Sequence, residues 1–281
     1  MPFQASWVQA ALARELRELR EARGLSGREA AALLGQGWSQ AKISRIESAE
    51  TKLDPVDVIK LGKLYGLGDA EIERLCEQAR DSRTDRWWKR YEEHLSETYF
   101  TLIGYENDAI RVRTSQPHVL PGLLQTREYA AAVIAEPVSY DDEKTEALIE
   151  VRMLRQRRLS DPEPLRLEAV IAESVLRWQF GGPDVLHDQL MHLREMGERE
   201  NITIQVVPFT NAITMLPYQV FQFTDSEAAS VAFSETHWTN EMHEGPQDAR
   251  RAHKMFDRHA SRALSPEETG KLIEALAKEI G

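Results

Sequence analysis

The chain has 281 residues, 42% of them hydrophobic and 29% charged, an ordinary globular balance long enough for two domains. One cysteine excludes a disulfide framework, and no early apolar run serves as a signal peptide or membrane span, so a cytoplasmic location is expected. The 35 Lys and Arg stand against 46 Asp and Glu, a net charge of −11 that runs against the basic balance usual in a nucleic-acid binder.

Val8, Leu12, Leu16 and Leu19 recur at helical spacing until Gly24 stops the run, which predicts a first amphipathic helix from about Trp7 to Arg23. Ser26 caps a second, Ala-rich helix through Leu34, and Gly35-Gln36-Gly37 breaks it. A third short helix follows in Trp38-Ser39-Gln40-Ala41-Lys42-Ile43-Ser44-Arg45-Ile46-Glu47, with Ser39 as its N-cap. Ile43 and Ile46, three apart, seat it on a core and leave Gln40, Ala41, Lys42, Ser44 and Arg45 outward. That outward set matches base edges in a major groove: Gln pairs with adenine, Arg with guanine, and an Ala methyl meets a thymine methyl. Asp54-Pro55 opens a fourth helix carrying Val58, Leu61, Gly62 and Tyr65, ended by Gly66. A fifth, with Ile72, Leu75 and Cys76, closes near Arg80, and Cys76 reads as a small core residue.

Five short helices with a reading helix third in order resemble the lambda-repressor/Cro, or XRE, family of helix-turn-helix regulators. The resemblance is carried by Leu25-Ser26, by Ala31 where helices two and three approach, and by Ile43-Ser44-Arg45-Ile46-Glu47. It implies base reading by Gln40, Ala41 and Arg45 and phosphate contact by Lys42 and Ser44. It also implies that Glu47 pairs with Arg20 rather than meeting DNA. Many relatives place a Gln at the start of helix two, whereas this chain has Gly27 and then Arg28, whose charge replaces that contact. Gly35-Gln36 is an insertion relative to the shortest family turns and bears on the tilt of the reading helix. Lys52, in the loop after that helix, is either a backbone contact or an idle surface lysine, and Trp38 reads as a core plug behind the turn. The full candidate DNA-contacting set is therefore Ser26, Arg28, Ser39, Gln40, Ala41, Lys42, Ser44, Arg45 and Lys52. The bland alternative for Lys42 and Arg45 is a solvated helix face.

Residues 1–80 hold 12 Lys and Arg against 12 Asp and Glu, and the remainder 23 against 34, so the acidity belongs to the second part. A neutral head with a local cluster at Arg28, Lys42, Arg45 and Lys52 calls for a second copy, with two reading helices about 34 Å apart.

Beyond residue 80 the pattern changes. Trp87, Trp88, Tyr91, Leu95, Tyr99, Leu102 and Ile103 fall at three- and four-residue steps, which predicts an amphipathic connecting helix over 81–104. Ile110 to Thr114 alternates as a strand, Thr126 caps a helix through Ala135, and Asp141-Asp142-Glu143 begins a long helix. That helix ends in Arg152, Arg155, Arg157 and Arg158, read as dipole and solubility charges with a second DNA contact as the alternative. Leu165 to Ile171, Ile202 to Pro208, Tyr218 to Thr224 and Ser230 to Glu235 read as strands, and Gly181-Gly182-Pro183-Asp184 launches a helix with Val185, Leu186, Leu190, Leu193 and Met196. Two Pro-opened helices, about Pro246 to Ala263 and Pro266 to Ile280, finish the chain. The expected class is mostly α with a smaller β component (α+β), a small helix-covered sheet lying within a regulatory domain over 105–281.

Trp87-Trp88-Lys89-Arg90-Tyr91, the segment from Pro121 to Ala130, and Gly181-Gly182-Pro183 before a Leu-rich helix resemble a domain of uncharacterised function found behind XRE-type heads in filamentous actinobacteria. Its members are antitoxin-like regulators, and the resemblance implies a very small partner protein encoded alongside. His237, Glu241, His243 and Glu244 form a His/acid cluster whose spacing matches no metal motif, and no Ser-centred elbow, phosphate-cradling glycine loop or Cys/His pairing appears. The expectation is a dimeric DNA-binding regulator without enzymatic activity, metal or cofactor. A ligand-gated regulator is the alternative, with Tyr99, Tyr105, Trp178, Phe209, Tyr218 and Trp238 lining a pocket.

Overall fold

A computed structural model describes residues 7–81, 86–136, 140–211, 213–235 and 240–281. The chain divides into two compact units, residues 1–89 and 90–281.

The first unit contains α1 (Trp7–Ala22), α2 (Gly27–Leu34), α3 (Gln40–Glu47), α4 (Pro55–Leu64) and α5 (Asp69–Asp81). Each helix turns one apolar stripe inward: Leu12 and Leu16 from α1, Ala30 and Ala31 from α2, Ile43 and Ile46 from α3, Val58 and Leu61 from α4, and Ile72, Leu75, Cys76 and Ala79 from α5. Tyr65 completes this core. A Cβ at Gly62 would fall 2.7 Å from Cγ1 of Ile72, so α4 and α5 approach as closely as they do because that position lacks a side chain. Gln9 is the polar residue buried with them.

The second unit carries a six-stranded mixed sheet in the order β3-β2-β1-β4-β5-β6. The strands are β1 (Arg111–Gln116), β2 (Arg166–Ala172), β3 (Ile202–Val207), β4 (Tyr218–Gln222), β5 (Ser230–Glu235) and β6 (Asn240–His243). β1, β2 and β3 run parallel, as their helical crossovers require, and β4 to β6 continue as an antiparallel meander. The crossovers are α7 (Arg127–Ala135) with α8 (Asp142–Arg155), and α9 (Pro183–Met196). α10 (Pro246–Ala260) lies on the sheet face formed by Val170, Val220 and Ala232, while Tyr105 of α6 (Glu97–Asp108) packs on Phe221 and Phe223. α11 (Pro266–Ile280) packs against α9 and β3. The class is α+β, as expected.

Two expectations are corrected, and one strand is added. The connecting helix over 81–104 is not one helix in its described part. Trp87–Tyr91 is a short 3-10 segment, and α6 starts afresh because Ser96 caps it, its hydroxyl accepting from the Tyr99 amide at 3.2 Å. β6 is not foreseen from the sequence, since a four-residue edge strand is too short to carry an alternation to read. The arginines ending α8 are largely interior: Arg155 is 6% exposed and donates from Nε and Nη2 to Glu106 at 2.8 and 2.6 Å, and from Nη1 to the Tyr99 hydroxyl at 2.7 Å. Arg158 donates to the carbonyls of Asn107 and Ala109, and Arg152 to Gln125. These side chains tie α8 to its neighbours, which leaves Arg157 as the exposed member of the cluster.

Candidate nucleic-acid interface

The candidate interface begins at the turn between α2 and α3. Gly35 has φ +79 and ψ −145, a conformation almost confined to glycine, and Gly37 also has positive φ at +87. These two residues let the chain reverse within a few positions, closed by the Trp38 amide donating to the Gly35 carbonyl at 3.1 Å. Ser39 is extended, and its hydroxyl accepts from the Lys42 amide at 3.1 Å. One exposed donor of the first turn is thereby satisfied, and α3 starts at Gln40.

Ile43 and Ile46 are 1% and 3% exposed, which fixes the rotation of α3 about its own axis. Gln40, Ala41, Ser44 and Arg45 are all exposed on the opposite face. α3 is a rod of eight residues, about 12 Å long, and an α-helix with its side chains is about 10–12 Å across, which a B-DNA major groove admits. The side chains of Gln40 and Arg45 make no hydrogen bond or ion pair among the described residues, so their donors and acceptors are free for an outside partner. Arg28 and Lys52 are likewise exposed and unpaired there. A Cβ at Gly27 would sit 3.6 Å from Ile43 Cγ2, an ordinary contact, so α2 and α3 approach at Gly27, and Ala31 is buried in the same core.

Besides the capping Ser39, two more of the predicted contacts are occupied by the protein itself. Lys42 Nζ lies 2.9 Å from Asp57 Oδ2 in the first turn of α4 and 4.1 Å from the centre of the Trp38 ring. Its charge is answered twice, by a carboxylate and by an aromatic face, instead of pointing freely outward. Trp38 packs against the core as the plug reading expects, and its ring also serves Lys42. Ser26 closes a capping box: its hydroxyl accepts from the Glu29 amide at 3.2 Å, and Glu29 Oε2 accepts from the Ser26 amide at 2.8 Å and hydroxyl at 2.6 Å. Those bonds hold the Glu29 carboxyl below the ordinary carboxylate range. A negative charge therefore already stands at the N-terminus of α2, where a phosphate would otherwise sit.

The other acid near the site is neutralised. Arg20 donates to both oxygens of Glu47, from Nε at 2.7 Å and Nη2 at 2.8 Å, and from Nη1 to the Leu25 carbonyl at 2.6 Å. This fork fastens the end of α3 to α1 and removes a bare carboxylate from the reading face. Burial and then the Glu47 charge push the neighbouring Tyr65 phenol up to about 12. Beyond α3, Ala49 adopts a left-handed φ of +56, and the buried Gln9 amide donates to the Ala49 and Thr51 carbonyls at 3.2 and 2.9 Å. That clamp holds the loop that carries Lys52.

Sequence reasoning missed Asp57, Glu29 and Gln9 as shaping residues. Glu29 was legible three positions after a capping serine. The reach of Asp57 to Lys42 and of Gln9 to a loop some 40 residues on depends on tertiary packing alone.

Among the described residues of the second unit, the members of the rival sites are not brought together. Glu241 and His243 lie on β6 with a 3.8 Å separation between carboxylate and ring, Glu244 accepts from the Tyr105 hydroxyl at 2.6 Å, and His237 lies outside the described residues. No group of three or more metal-ligating side chains converges among the described residues. Of the aromatics proposed to line a pocket, Tyr105 and Tyr218 are buried, Tyr99 faces Arg155, Trp178 and Phe209 are exposed, and Trp238 lies outside the described residues. No helix among the described residues is long and apolar enough to cross a membrane.

Comparison with known families matches residues 11–75 to a helix-turn-helix domain and residues 99–275 to a domain of unknown function, DUF5753. Neither the curated proteins nor the solved structures yielded a match.

Proposed function

The chain belongs to the DUF5753 family and carries a helix-turn-helix domain ahead of that region, and from this premise we propose that it is a sequence-specific transcriptional regulator of the lambda-repressor/Cro type, without enzymatic activity. One observation carries the reading: α3 is bolted to its core by Ile43, Ile46 and the Arg20–Glu47 fork while Gln40, Ala41, Ser44 and Arg45 stand exposed on one face. Gln40 and Arg45 read base edges, Ala41 lies against a thymine methyl, and Arg28, Ser44 and Lys52 hold phosphates. Lys42 joins them only by giving up Asp57.

The first unit has balanced charge, so a single copy draws little on the phosphate backbone. A homodimer on paired half-sites supplies the missing affinity, with the second unit providing self-association and the contact to a small antitoxin-like partner protein. Selection of duplexes from a random pool by the full-length protein tests this. A recovered motif repeated about one helical turn apart supports it, and recovery of unenriched DNA overturns it.

A further inference from the structure

The acidic second unit bears one strongly basic face. Arg250, Arg251, Lys254 and Arg258 are all exposed on α10 and, with Gln247 and Met255, line a shallow cleft of about 470 Å³. None of the four makes an ion pair among the described residues, whereas Arg113, Arg155, Arg177 and Arg194 in the same unit are each held by carboxylates. Asp257, on the same helix, is turned to Arg113 at 3.3 Å, and Asp248 sits in the first turn.

Ordinary surface chemistry does not account for this arrangement. Like charges four residues apart, as in Arg250/Lys254 and Lys254/Arg258, destabilise a helix. The macrodipole favours Arg258 near the C-terminal end but gives nothing to Arg250 and Arg251, which lie beyond the first turn. Solubility does not call for them either, since cations bring a chain of net charge −11 closer to neutrality.

The face is also rigidly presented. His253 and His259 are buried beneath it, 3.0 Å from the hydroxyls of Ser230 on β5 and Ser115 on β1. Arg250, Lys254 and Arg258 thus recur about every 6 Å along a fixed helix, close to the separation of neighbouring phosphates on one strand. Apart from the half-buried Met255, every side chain lining the cleft ends in a charged or amide group, so none of the aromatic anchors a protein partner uses is present. Three of the four cations are arginines, whose planar fork suits phosphate.

We propose that the outward face of α10, formed by Arg250, Arg251, Lys254 and Arg258, is a second duplex-binding surface that grips the phosphodiester backbone without reading sequence. The inference rests on the reading of this chain as a duplex-binding regulator, and it gives a charge-balanced head the electrostatic hold it lacks.

Fluorescence anisotropy of full-length protein against salt, on a selected duplex and a random one of equal length, tests it. Replacing all four residues (Arg250→Gln, Arg251→Gln, Lys254→Gln, Arg258→Gln) should lower the slope of log affinity on log salt by about three. Both duplexes should weaken by the same factor, the preference between them should persist, and a variant with the three arginines changed to lysine should keep the slope. An unchanged melting curve shows that the fold is intact. A slope and affinity equal to wild type overturn the proposal, as does an unchanged slope accompanied by loss of self-association, which assigns the face to protein contact. If wild type shows no preferred sequence yet the fourfold variant still loses random duplex, the α3 reading fails and the α10 surface stands. Absence of duplex binding by wild type ends both.

Discussion

Arg45 and Lys42 sit three residues apart on one helix, yet their surroundings assign them different behaviour. Arg45 is exposed and unpaired, so Arg45→Ala should relax preference at one base pair by about 1–3 kcal/mol, read by competition between single-base operator variants. Lys42 is held by Asp57 and the Trp38 ring, so its charge reaches phosphate only in competition with them. Removing the competitor, as in Asp57→Asn, should tighten binding to every duplex and steepen the salt slope by about one. Equal affinity and slope in that variant would show that Lys42 takes no part. Arg20 and Glu47 have side chains only 11% and 10% exposed, and Arg20→Ala strands a carboxylate. It should destabilise the first unit by about 3 kcal/mol in a denaturant titration.

Many of the helices were legible because a side chain marks where each begins: Ser26, Ser39, Asp54, Thr126, Asp141 and Ser265 all accept from the backbone as caps. The same chemistry explains the failure between residues 81 and 104. Helical spacing of aromatics ran through Ser96, and the cap prevailed over the periodicity. The outward placement of Gln40, Ala41 and Arg45 was legible because one helix face sufficed to read it. The rest was illegible where partners came from elsewhere in the fold, as for Lys42 with Asp57 or Arg155 with Glu106. The turn before α3 offers a test at this scale. Gly35→Ala forces a side chain into φ +79 and ψ −145, which should cost about 1–3 kcal/mol and weaken duplex binding by misplacing α3.

Across the whole molecule, acid should act first on the second unit. Burial is the largest cause lowering the pKa of both His253 and His259, so the folded state holds them neutral where the unfolded chain takes up protons. A depressed folded pKa contributes stability above the unfolded value of about 6.5, and that stability is lost as pH falls below it. Arg113, Arg111, Glu227 and Asp257 face His253, and the two carboxylates soften the effect without reversing it. Thermal melts from pH 8 to 5 should show the second unit losing stability below about pH 6.5, and a double His253→Gln, His259→Gln variant should flatten the dependence.

The interior of the first unit runs from Leu12 to Ala79, with Leu25, Leu34, Trp38 and Leu67 packed at its margins. A core drawn from one continuous stretch makes that unit a transplantable cassette. Spliced ahead of an unrelated protein, it should still melt as one cooperative unit and keep whatever duplex preference the full chain shows.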